Sequence, residues 1–271
     1  MALFTVFGNP ISHSLSPQIH LAFAKQVGVK LNYTRSLTSV SRFRRAVAQF
    51  FREGGAGANI TLPFKEEAYE LATHVTARAQ QAGAVNTFVP LGLGQLLGDN
   101  TDGIGLVRDL TQNLKQTIAQ RDIVLLGAGG AARGVVGNLL AESPRQLIIA
   151  NRTHEKANAI VEAFKHKALV AAPLNELVIP QDALVINATS ASLANQTVAI
   201  ASEQLGRAGA VYDMMYGAEP TAFMQQAQKA GVAEVFDGLG MLVEQAGVAF
   251  KLWHEGVELN TQAVLRELRA Q

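Results

Sequence analysis

The stretch IVLLGAGGAARG, residues 123–134, decides the fold class of this chain of 271 residues. It begins with a continuous apolar run, Ile123 to Leu126, which is typical of a strand buried on both faces of a parallel sheet. Gly127, Gly129 and Ala132 then fit the pattern G-x-G-x-x-A, in which glycines allow a pyrophosphate to approach the backbone beside a helix N-terminus. The stretch therefore predicts a strand, a phosphate-binding turn and a helix. A flexible glycine turn is the alternative, and the position between strand and helix weighs against it.

The strand after this turn indicates which nucleotide the site takes. It is the apolar run Leu147 to Ala150, and Asn151, Arg152 and Thr153 follow at the position where NAD-binding sites usually carry an acid. A carboxylate would repel a 2′-phosphate, whereas Arg152 would attract it and its neighbours can donate hydrogen bonds. Lys156, one helical turn later, would add positive charge. The sequence therefore predicts NADP rather than NAD, with an ordinary surface arginine as the alternative for Arg152.

Apolar strands alternate with helical segments along the chain, which predicts right-handed βαβ units and parallel sheets. Two further strands, Leu184 to Ala188 and Ala210 to Met214, complete a Rossmann-type sheet in the nucleotide-binding region. Ligands of such sheets bind beyond the carboxyl ends of strands, and the segments NATS (187–190) and YDMMY (212–216) reach that edge. Core packing is the alternative role for the two methionines.

The N-terminal hundred residues are predicted to form a separate α/β domain. A helix is expected to begin at Ser16-Pro17, with Pro17 in the first helical position. The other predicted elements are the strand Leu3 to Phe7, the amphipathic helix Arg42 to Arg52, breaks at Gly54, Gly55 and Gly57, and the strand Ala58 to Leu62.

The last part of the chain is predicted to return to this first domain. After turns at Gly238 and Gly240, a long helical stretch covers roughly Met241 to Glu255. The first predicted domain therefore comprises residues 1–102 and 238–271, and the predicted NADP-binding domain comprises residues 103–237.

Composition and charge argue against several classes of function. The chain has 23 basic and 22 acidic residues, a balance that gives no general electrostatic reason to bind nucleic acid or an anionic membrane. The absence of cysteine excludes disulfides, thiolate zinc sites and a cysteine nucleophile. No apolar run reaches about 18 residues and the N-terminus lacks a basic leader, so we expect a cytoplasmic protein. The six histidines are scattered and predict no metal site.

The segment NITLPFK, residues 59–65, places a lysine where helix electrostatics disfavour one. Lys65 falls in the first turn of a predicted helix, at the positive end of its dipole. The dipole and burial would lower the pKa of Lys65, while a nearby carboxylate would oppose that shift. A lysine tuned toward about 7–8 can exchange protons near neutral pH. Because a carbonyl that accepts a hydride must also take a proton, Lys65 is the candidate proton donor.

Polar residues before two other predicted helices complete the candidate chemical site. Ser14 and Ser16 precede the helix of Pro17 and could seat a small anion such as a carboxylate, although Ser16 would equally serve as a helix cap. Asp102, within the segment GDNTDGIG (98–105), also stands before a helix. It is either a helix cap or a carboxylate partner for the chemistry.

Taken together, these motifs resemble the shikimate dehydrogenase family, NADP-dependent enzymes of aromatic amino-acid biosynthesis. The resemblance extends from GNPISHSLSP at residue 8 to DGLGMLVEQA at residue 237, through NITLPFK, GAVNT, GDNTDGIG, GAGGAARG, NRT, NATS and YDMMYG. It implies an oxidoreductase that reversibly reduces 3-dehydroshikimate to shikimate with NADPH. It also implies an α/β substrate domain, a Rossmann domain for NADP(H), and C-terminal helices that pack on the substrate domain.

The resemblance implies a role for each matching residue. The catalytic acid/base pair would be Lys65 and Asp102. The substrate would be bound by Ser14, Ser16, Asn59, Thr61, Lys65, Asn86, Asp102, Tyr216 and Gln245. The NADP would be bound by Gly127, Ala128, Gly129, Gly130, Ala131, Asn151, Arg152, Thr153, Lys156, Thr189, Met214 and Gly238. We expect a monomer or a homodimer.

Two rival functions remain open at this point. The first is a paralogue that oxidises quinate as well as shikimate, with either NAD or NADP as cofactor. The two serines at positions 14 and 16 and the NRT segment favour shikimate and NADP. The second is a non-catalytic NADP-sensing or ligand-binding protein. Such a protein could dispense with a proton-transfer pair, so the presence of Lys65 and Asp102 favours an enzyme.

Overall fold

The computed structural model describes residues 1–189, 191 and 196–271. It contains two compact units, one formed by Met1–Gly105 with Leu242–Gln271 and the other by Leu106–Met241. Each unit has a six-stranded sheet with an apolar core on either face. The α/β class is therefore confirmed, and the C-terminal segment returns to the first unit as the sequence predicts.

The sheet of the first unit contains strands of mixed direction. They are β1 (Ala2–Gly8), β2 (Leu31–Leu37), β3 (Gly55–Ile60), β4 (His74–Val75), β5 (Thr87–Gly92) and β6 (Gln95–Asp99). Their order across the sheet is β2-β1-β3-β5-β6-β4. The strand β1 pairs in parallel with β2 and β3, whereas β5 is antiparallel to both β3 and β6. The carboxyl ends of β1, β2 and β3 consequently lie at one edge of the sheet.

Five helices of the first part of the chain follow these strands, and the last of them passes from the first unit into the second. They are α1 (Ser16–Val27), α2 (Phe43–Arg52), α3 (Lys65–Leu71), α4 (Ala77–Ala82) and α5 (Asp102–Arg108). A short 3-10 turn, Val40–Arg42, precedes α2, and a π-helical turn, Asp109–Asn113, follows α5.

Two predicted glycine breaks lie inside β3, so the predicted limits of this strand were wrong. A Cβ atom on Gly55 would overlap the ring of Phe50, and one on Gly57 would overlap the ring of Trp253. Glycine is needed at both positions because aromatic rings pack directly on the strand backbone. Gly54, with φ = +90°, remains the break that ends the preceding helix.

The sheet of the second unit is parallel throughout. Its strands are β7 (Asp122–Leu126), β8 (Gln146–Asn151), β9 (Leu169–Pro173), β10 (Leu184–Asn187), β11 (Ala210–Asp213) and β12 (Glu234–Phe236). Their order is β12-β11-β10-β7-β8-β9, with β7 near the centre. All five residues of β7 are buried, as its unbroken apolar run predicts. The edge strands β9 and β12 were not recognised in the sequence; both are short and only partly buried.

Among the described residues, four α-helices lie within the second unit and two further α-helices end the chain. They are α6 (Gly130–Ala141), α7 (His154–Phe164), α8 (Ser202–Leu205), α9 (Ala222–Lys229), α10 (Leu239–Trp253) and α11 (Thr261–Arg269). The prediction of a turn at Gly240 was wrong, because this residue is helical. A Cβ atom there would overlap the carboxylate of Asp109, so close packing explains the glycine.

Candidate active site

Lys65 and Asp102, the predicted acid/base pair, form an ion pair in the first unit. Lys65 is the first residue of α3 and follows the cis peptide bond between Leu62 and Pro63, and Asp102 is the first residue of α5. Lys65 Nζ lies 2.5 Å from Asp102 Oδ2, and the two side chains are 17% and 6% exposed. The carboxylate therefore compensates a lysine at the unfavourable end of a helix, and the lysine compensates a carboxylate that is largely removed from water.

Asn86 holds the second oxygen of the Asp102 carboxylate. Its Nδ2 donates to Asp102 Oδ1 at 2.8 Å and also lies 2.9 Å from Thr101 Oγ1 and 3.3 Å from Gln245 Oε1. The backbone N–H of Thr101 donates to Asn86 Oδ1 at 3.0 Å, which fixes the orientation of the amide. An amide nitrogen carries only two hydrogens, so these three acceptors compete for them. The carboxylate and the Gln245 oxygen therefore keep acceptor capacity for hydroxyl groups of a ligand.

Ser14 and Ser16 lie together at the start of α1. Their hydroxyl oxygens are 3.1 Å apart, and the Ser16 N–H donates to Ser14 Oγ at 3.3 Å. The alternative that Ser16 caps the helix is wrong, because Leu15 is the capping residue and Ser16 is the first helical residue. Pro17 is accordingly the second helical residue rather than the first. Two hydroxyls beside a helix N-terminus have the chemistry of a carboxylate seat.

Asn59 and Thr61, both predicted to contact substrate, differ in their surroundings. Thr61 directly follows β3 and is half-buried. Asn59 lies inside β3 and is 6% exposed. Its Oδ1 accepts the Tyr33 hydroxyl at 2.6 Å, while its Nδ2 lies 3.2 Å from the Asn86 carbonyl oxygen and 3.1 Å from Thr87 Oγ1. The Asn59 amide therefore supports neighbouring strands, and a ligand would have to replace one of these bonds to contact it.

A buried ion pair that the sequence analysis missed fixes the loop before α5. Asp99 is fully buried, and its carboxylate accepts hydrogen bonds from both Nε and Nη2 of Arg78, the first at 2.7 Å, and from Thr76 Oγ1 at 2.6 Å. The same carboxylate accepts the Asn100 N–H at 2.7 Å, and Asn100 Oδ1 accepts the Asp102 N–H at 3.1 Å. The pair thereby positions the backbone that carries Asp102. Its two members come from different motifs, so only their opposite charges could have suggested it.

The glycine loop of the second unit joins β7 to α6. Gly127 has φ = +105°, a conformation that favours glycine, and its N–H donates to the Ala150 carbonyl at 2.8 Å. Gly129 caps α6, and a Cβ atom on it would meet no described atom within 4 Å, so the helix N-terminus is open to a ligand. Ala132 is fully buried against the sheet. The loop comprises Gly127, Ala128, Gly129, Gly130 and Ala131, and its open backbone fits a pyrophosphate.

The predicted 2′-phosphate clamp lies between β8 and α7. Asn151 ends the strand, and its side-chain amide donates to the Thr153 carbonyl at 2.8 Å. Thr153 caps α7 through its backbone alone, so its hydroxyl is not used by the cap. Arg152 and Lys156 are exposed, and within the described parts of the chain neither forms an ion pair. Two available cations beside this loop fit a nucleotide with a 2′-phosphate.

Three other predicted cofactor residues also lie in the second unit, after the carboxyl ends of its strands. Thr189 donates from its N–H and its hydroxyl to Asn187 Oδ1, at 3.0 Å and 2.7 Å; the last residue of the NATS segment, Ser190, falls outside the described residues. Met214 is 8% exposed, and a Cβ atom on Gly238 would overlap the Met214 carbonyl. Gly238 is therefore required by this close backbone approach.

Tyr216 belongs to the second unit, whereas the other predicted substrate residues belong to the first. It is half-buried and follows β11 by three residues.

Within the described residues, no group of three or more histidines and acids could hold a metal ion. In the same residues, no helix has the length and apolar character needed to cross a membrane.

Comparison with protein families gives two matches along the chain. Residues 6–88 match the family described as the shikimate dehydrogenase substrate binding domain. Residues 109–211 match the family described as shikimate / quinate 5-dehydrogenase. Together they extend over most of both units.

Whole-length similarity to individual proteins agrees with these matches. The shikimate dehydrogenase (NADP(+)) of Dechloromonas aromatica (strain RCB) is 50% identical over 270 residues, which cover 99% of this chain and 98% of that protein. The crystal structure of an Ael1 enzyme from Pseudomonas putida is 40% identical with a TM-score of 0.90, covering 99% of this chain and 98% of that one. Shikimate 5-dehydrogenase from Thermus thermophilus, in complex with NADP(H) and shikimate, is 32% identical with a TM-score of 0.87, covering 100% of this chain and 99% of that one.

Proposed function

The chain belongs to the shikimate dehydrogenase family, and we propose that its Lys65–Asp102 pair carries the proton transfer of the reaction. The protein is an NADP-dependent oxidoreductase that interconverts 3-dehydroshikimate and shikimate in aromatic biosynthesis. The single observation that supports the proposed pair is the 2.5 Å contact between Lys65 Nζ and Asp102 Oδ2 in a largely buried polar cluster.

In the direction of reduction, the reacting carbonyl gains a hydride at carbon and a proton at oxygen. The Lys65 ammonium donates that proton, and Asp102 keeps the ammonium oriented and stabilises its charge before transfer. In the reverse direction, Lys65 accepts the proton of the substrate hydroxyl.

The polar cluster around Asn86 binds the ring hydroxyls. Asp102 and Gln245 offer acceptor oxygens that the Asn86 amide cannot saturate. Thr61 adds a hydroxyl at the end of β3. Asn59 acts mainly by donating a hydrogen bond to the Asn86 carbonyl oxygen. A ligand rich in hydroxyls would complete these hydrogen bonds, whereas an apolar ligand would leave them unpaired at a cost of about 1–3 kcal/mol each.

The carboxylate of the substrate is assigned to Ser14 and Ser16, and Tyr216 is proposed as a further substrate-binding residue. The N-terminus of α1 contributes positive potential at this position. The first turn of α1 contains no acidic residue that would oppose an anion.

The glycine loop and the segment Asn151–Arg152–Thr153 hold the cofactor, which supplies hydride-transfer chemistry when bound. The open N-terminus of α6 receives the pyrophosphate, while Arg152 and Lys156 pair with the 2′-phosphate. Met214 and Gly238 are assigned to the nicotinamide side, and Thr189 is assigned to cofactor binding. The remaining role of this chain is to position these groups and to deliver the proton.

A steady-state assay with two substrates and two cofactors tests this function against the rival that uses quinate. NADP⁺ and NAD⁺ reduction should be followed spectrophotometrically with shikimate and with quinate. We expect shikimate with NADP⁺ to give the highest kcat/KM by about tenfold or more, the ratio that ~1.4 kcal/mol of differential binding produces. A preference for quinate or NAD⁺ would favour the paralogue, and no turnover with any pair would favour a binding protein.

The proposal also includes a cytoplasmic location and a monomeric or homodimeric state. The cysteine-free, nearly neutral composition is compatible with both. Cell fractionation and analytical ultracentrifugation would measure them, and a larger assembly or an exported protein would contradict this part of the proposal.

A further inference from the structure

Arg35, near the end of β2, is hydrogen-bonded to the loop that carries the serine pair. Its Nε and Nη2 donate to the Ser14 carbonyl oxygen at 2.8 Å and 2.6 Å. The two residues are 21 positions apart, so this contact is tertiary rather than local. A bidentate bond from a charged guanidinium to one carbonyl fixes both the position and the orientation of that peptide.

A second residue on the same face of β2 supports Ser16. Tyr33 lies two positions before Arg35, and side chains alternate along a strand, so both point toward α1. The Tyr33 side chain is buried, and its hydroxyl donates a hydrogen bond to Asn59 Oδ1 at 2.6 Å. Burial raises the pKa of Tyr33 well above its usual range, and a hydrogen bond with Ser16 opposes that rise. The strand β2 thus holds the Ser14 peptide through Arg35, and Tyr33 lies close enough to Ser16 to be affected by it.

The positive charge of Arg35 also affects the binding of an anion at Ser14 and Ser16. Ser14 and Ser16 are neutral, so an anion bound between them depends on the helix N-terminus and on nearby cations. A guanidinium has more N–H groups than the two bonds to Ser14 use, and Arg35 is exposed. Within the described residues Arg35 has no acidic ion-pair partner. Its positive charge is therefore available to an arriving carboxylate.

We infer that Arg35 is a positioning residue for the substrate carboxylate. It holds the Ser14 peptide so that the serine hydroxyls form the seat, and it supplies the positive charge that draws the anionic substrate to it. The inference rests on the proposed function, because the carboxylate is that of shikimate. It assigns to Arg35 an effect on substrate binding and none on hydride or proton transfer.

The test compares three variants, namely Arg35→Gln, Arg35→Lys and the control Arg52→Gln. Arg52 is also an exposed arginine whose Nε donates to a backbone carbonyl, but that carbonyl is Ala48, on its own helix α2. The control therefore removes the same charge and a similar hydrogen bond away from the serine loop. For each variant, kcat and KM are measured with shikimate and with NADP⁺, at ~50 mM and ~500 mM salt, because salt screens exposed charges.

We expect Arg35→Gln to raise the KM for shikimate about tenfold at low salt, with kcat and the KM for NADP⁺ within about twofold of the wild type. High salt should raise the wild-type KM for shikimate and reduce the difference in KM between the wild type and Arg35→Gln. Arg35→Lys keeps the charge but not the planar guanidinium, so its KM for shikimate should lie between those of the wild type and Arg35→Gln. Arg52→Gln should have the KM of the wild type.

Three results would overturn the inference. They are a wild-type KM in Arg35→Gln, an equal change in Arg52→Gln, or a loss confined to kcat. If Arg35→Gln does not fold, the salt dependence of the wild-type KM decides, and a KM independent of salt contradicts the role of the charge. A wild-type protein that fails to oxidise shikimate would instead refute the proposed function, so the two failures are distinguishable.

Discussion

The predicted site residues of the first unit and those of the second unit hold their positions by different physical means. In the first unit, Lys65, Asp102 and Asn86 are linked to one another by side-chain hydrogen bonds and are mostly buried. In the second unit, Gly127 and Gly129 act through backbone conformation, and Arg152 is exposed. The first arrangement is a preorganised polar network, and the second is an open backbone surface flanked by exposed cationic side chains.

This difference predicts how the chemical step and cofactor binding should each respond to substitution. Removing one member of a coupled buried network disturbs all the others, so changes in the first unit should reduce the rate of the chemical step. Removing an exposed cation or adding a methyl group to an open loop leaves the fold intact. Changes in the second unit should therefore act mainly on cofactor affinity.

The largest expected effect is on the acid/base pair. Lys65→Ala and Asp102→Ala should each lower kcat by about 10²–10⁴-fold, the usual contribution of general acid–base catalysis, while NADP⁺ affinity changes little. The double variant should lose little more than either single variant, because the two residues act as one unit. The control is Lys251→Ala, which breaks the exposed Lys251–Glu258 pair and should leave turnover unchanged. Wild-type turnover in either single variant would remove the assigned roles.

The next effect concerns Arg152, the exposed cation after β8 of the second unit. Arg152→Ala should weaken NADP⁺ binding by about 10- to 100-fold, as the loss of a charge-assisted hydrogen bond worth ~1.5–3 kcal/mol implies. NAD⁺, which lacks the 2′-phosphate, should bind the variant and the wild type equally. Titration of both cofactors by calorimetry measures the two affinities. An equal loss for NADP⁺ and NAD⁺ would exclude a specific clamp.

His20, a fully buried histidine of α1, predicts a pH effect on the stability of the first unit. Burial lowers the pKa of His20 to about 3. Since the unfolded state protonates near 6.5, the free energy of unfolding should fall as the pH drops below about 6.5, by ~2 kcal/mol at pH 5 from this residue. Trp253, the one tryptophan of the sequence, lies 5.2 Å from the His20 ring and reports unfolding of this unit by fluorescence.

The variant His20→Phe should lose ~2 kcal/mol less than the wild type between pH 7 and pH 5 in urea titrations. Exposed His13 offers the matched control, since His13→Gln should keep the wild-type dependence. All three proteins keep His254, whose pKa is also lowered by burial. Identical losses in the wild type and His20→Phe would contradict the prediction.

The smallest expected effect is on the open glycine of the cofactor loop. A Cβ atom on Gly129 meets no described atom within 4 Å, so Gly129→Ala should keep the melting temperature of the wild type. The added methyl group would lie where the pyrophosphate approaches, and NADP⁺ affinity should fall about tenfold. Gly238→Ala is the contrasting variant, because its Cβ overlaps the Met214 carbonyl and should lower the melting temperature. Unchanged NADP⁺ affinity in Gly129→Ala would argue against the proposed phosphate site.

What could be predicted from the sequence depended on whether a feature is local. The strand β7 and the glycine turn are specified by consecutive residues, and the structure confirms their order. Gly57 was misinterpreted as a break because the residue that requires a glycine there is Trp253, almost two hundred residues later in the chain. The Arg78–Asp99 pair was missed for the same reason, since its partners come from separate motifs.

The candidate site shows the same division. Lys65 could be singled out because its position at a helix start conflicts with local electrostatics. The contact of Arg35 with Ser14 could not be foreseen, because it depends on how β2 lies against the start of α1. Nor could the sequence reveal that the Asn59 amide is already occupied by Tyr33 and Thr87.

The most direct test of the division between chemistry and cofactor binding compares Lys65→Ala with Arg152→Ala in a single pair of measurements. NADPH binding is followed by fluorescence titration, and turnover is measured at saturating NADP⁺ and shikimate. The account predicts wild-type NADPH affinity with kcat reduced by about 10²–10⁴-fold in Lys65→Ala, and weakened NADPH binding with nearly wild-type kcat in Arg152→Ala. Wild-type kcat in Lys65→Ala, or a loss of kcat at saturation in Arg152→Ala equal to that of Lys65→Ala, would contradict it.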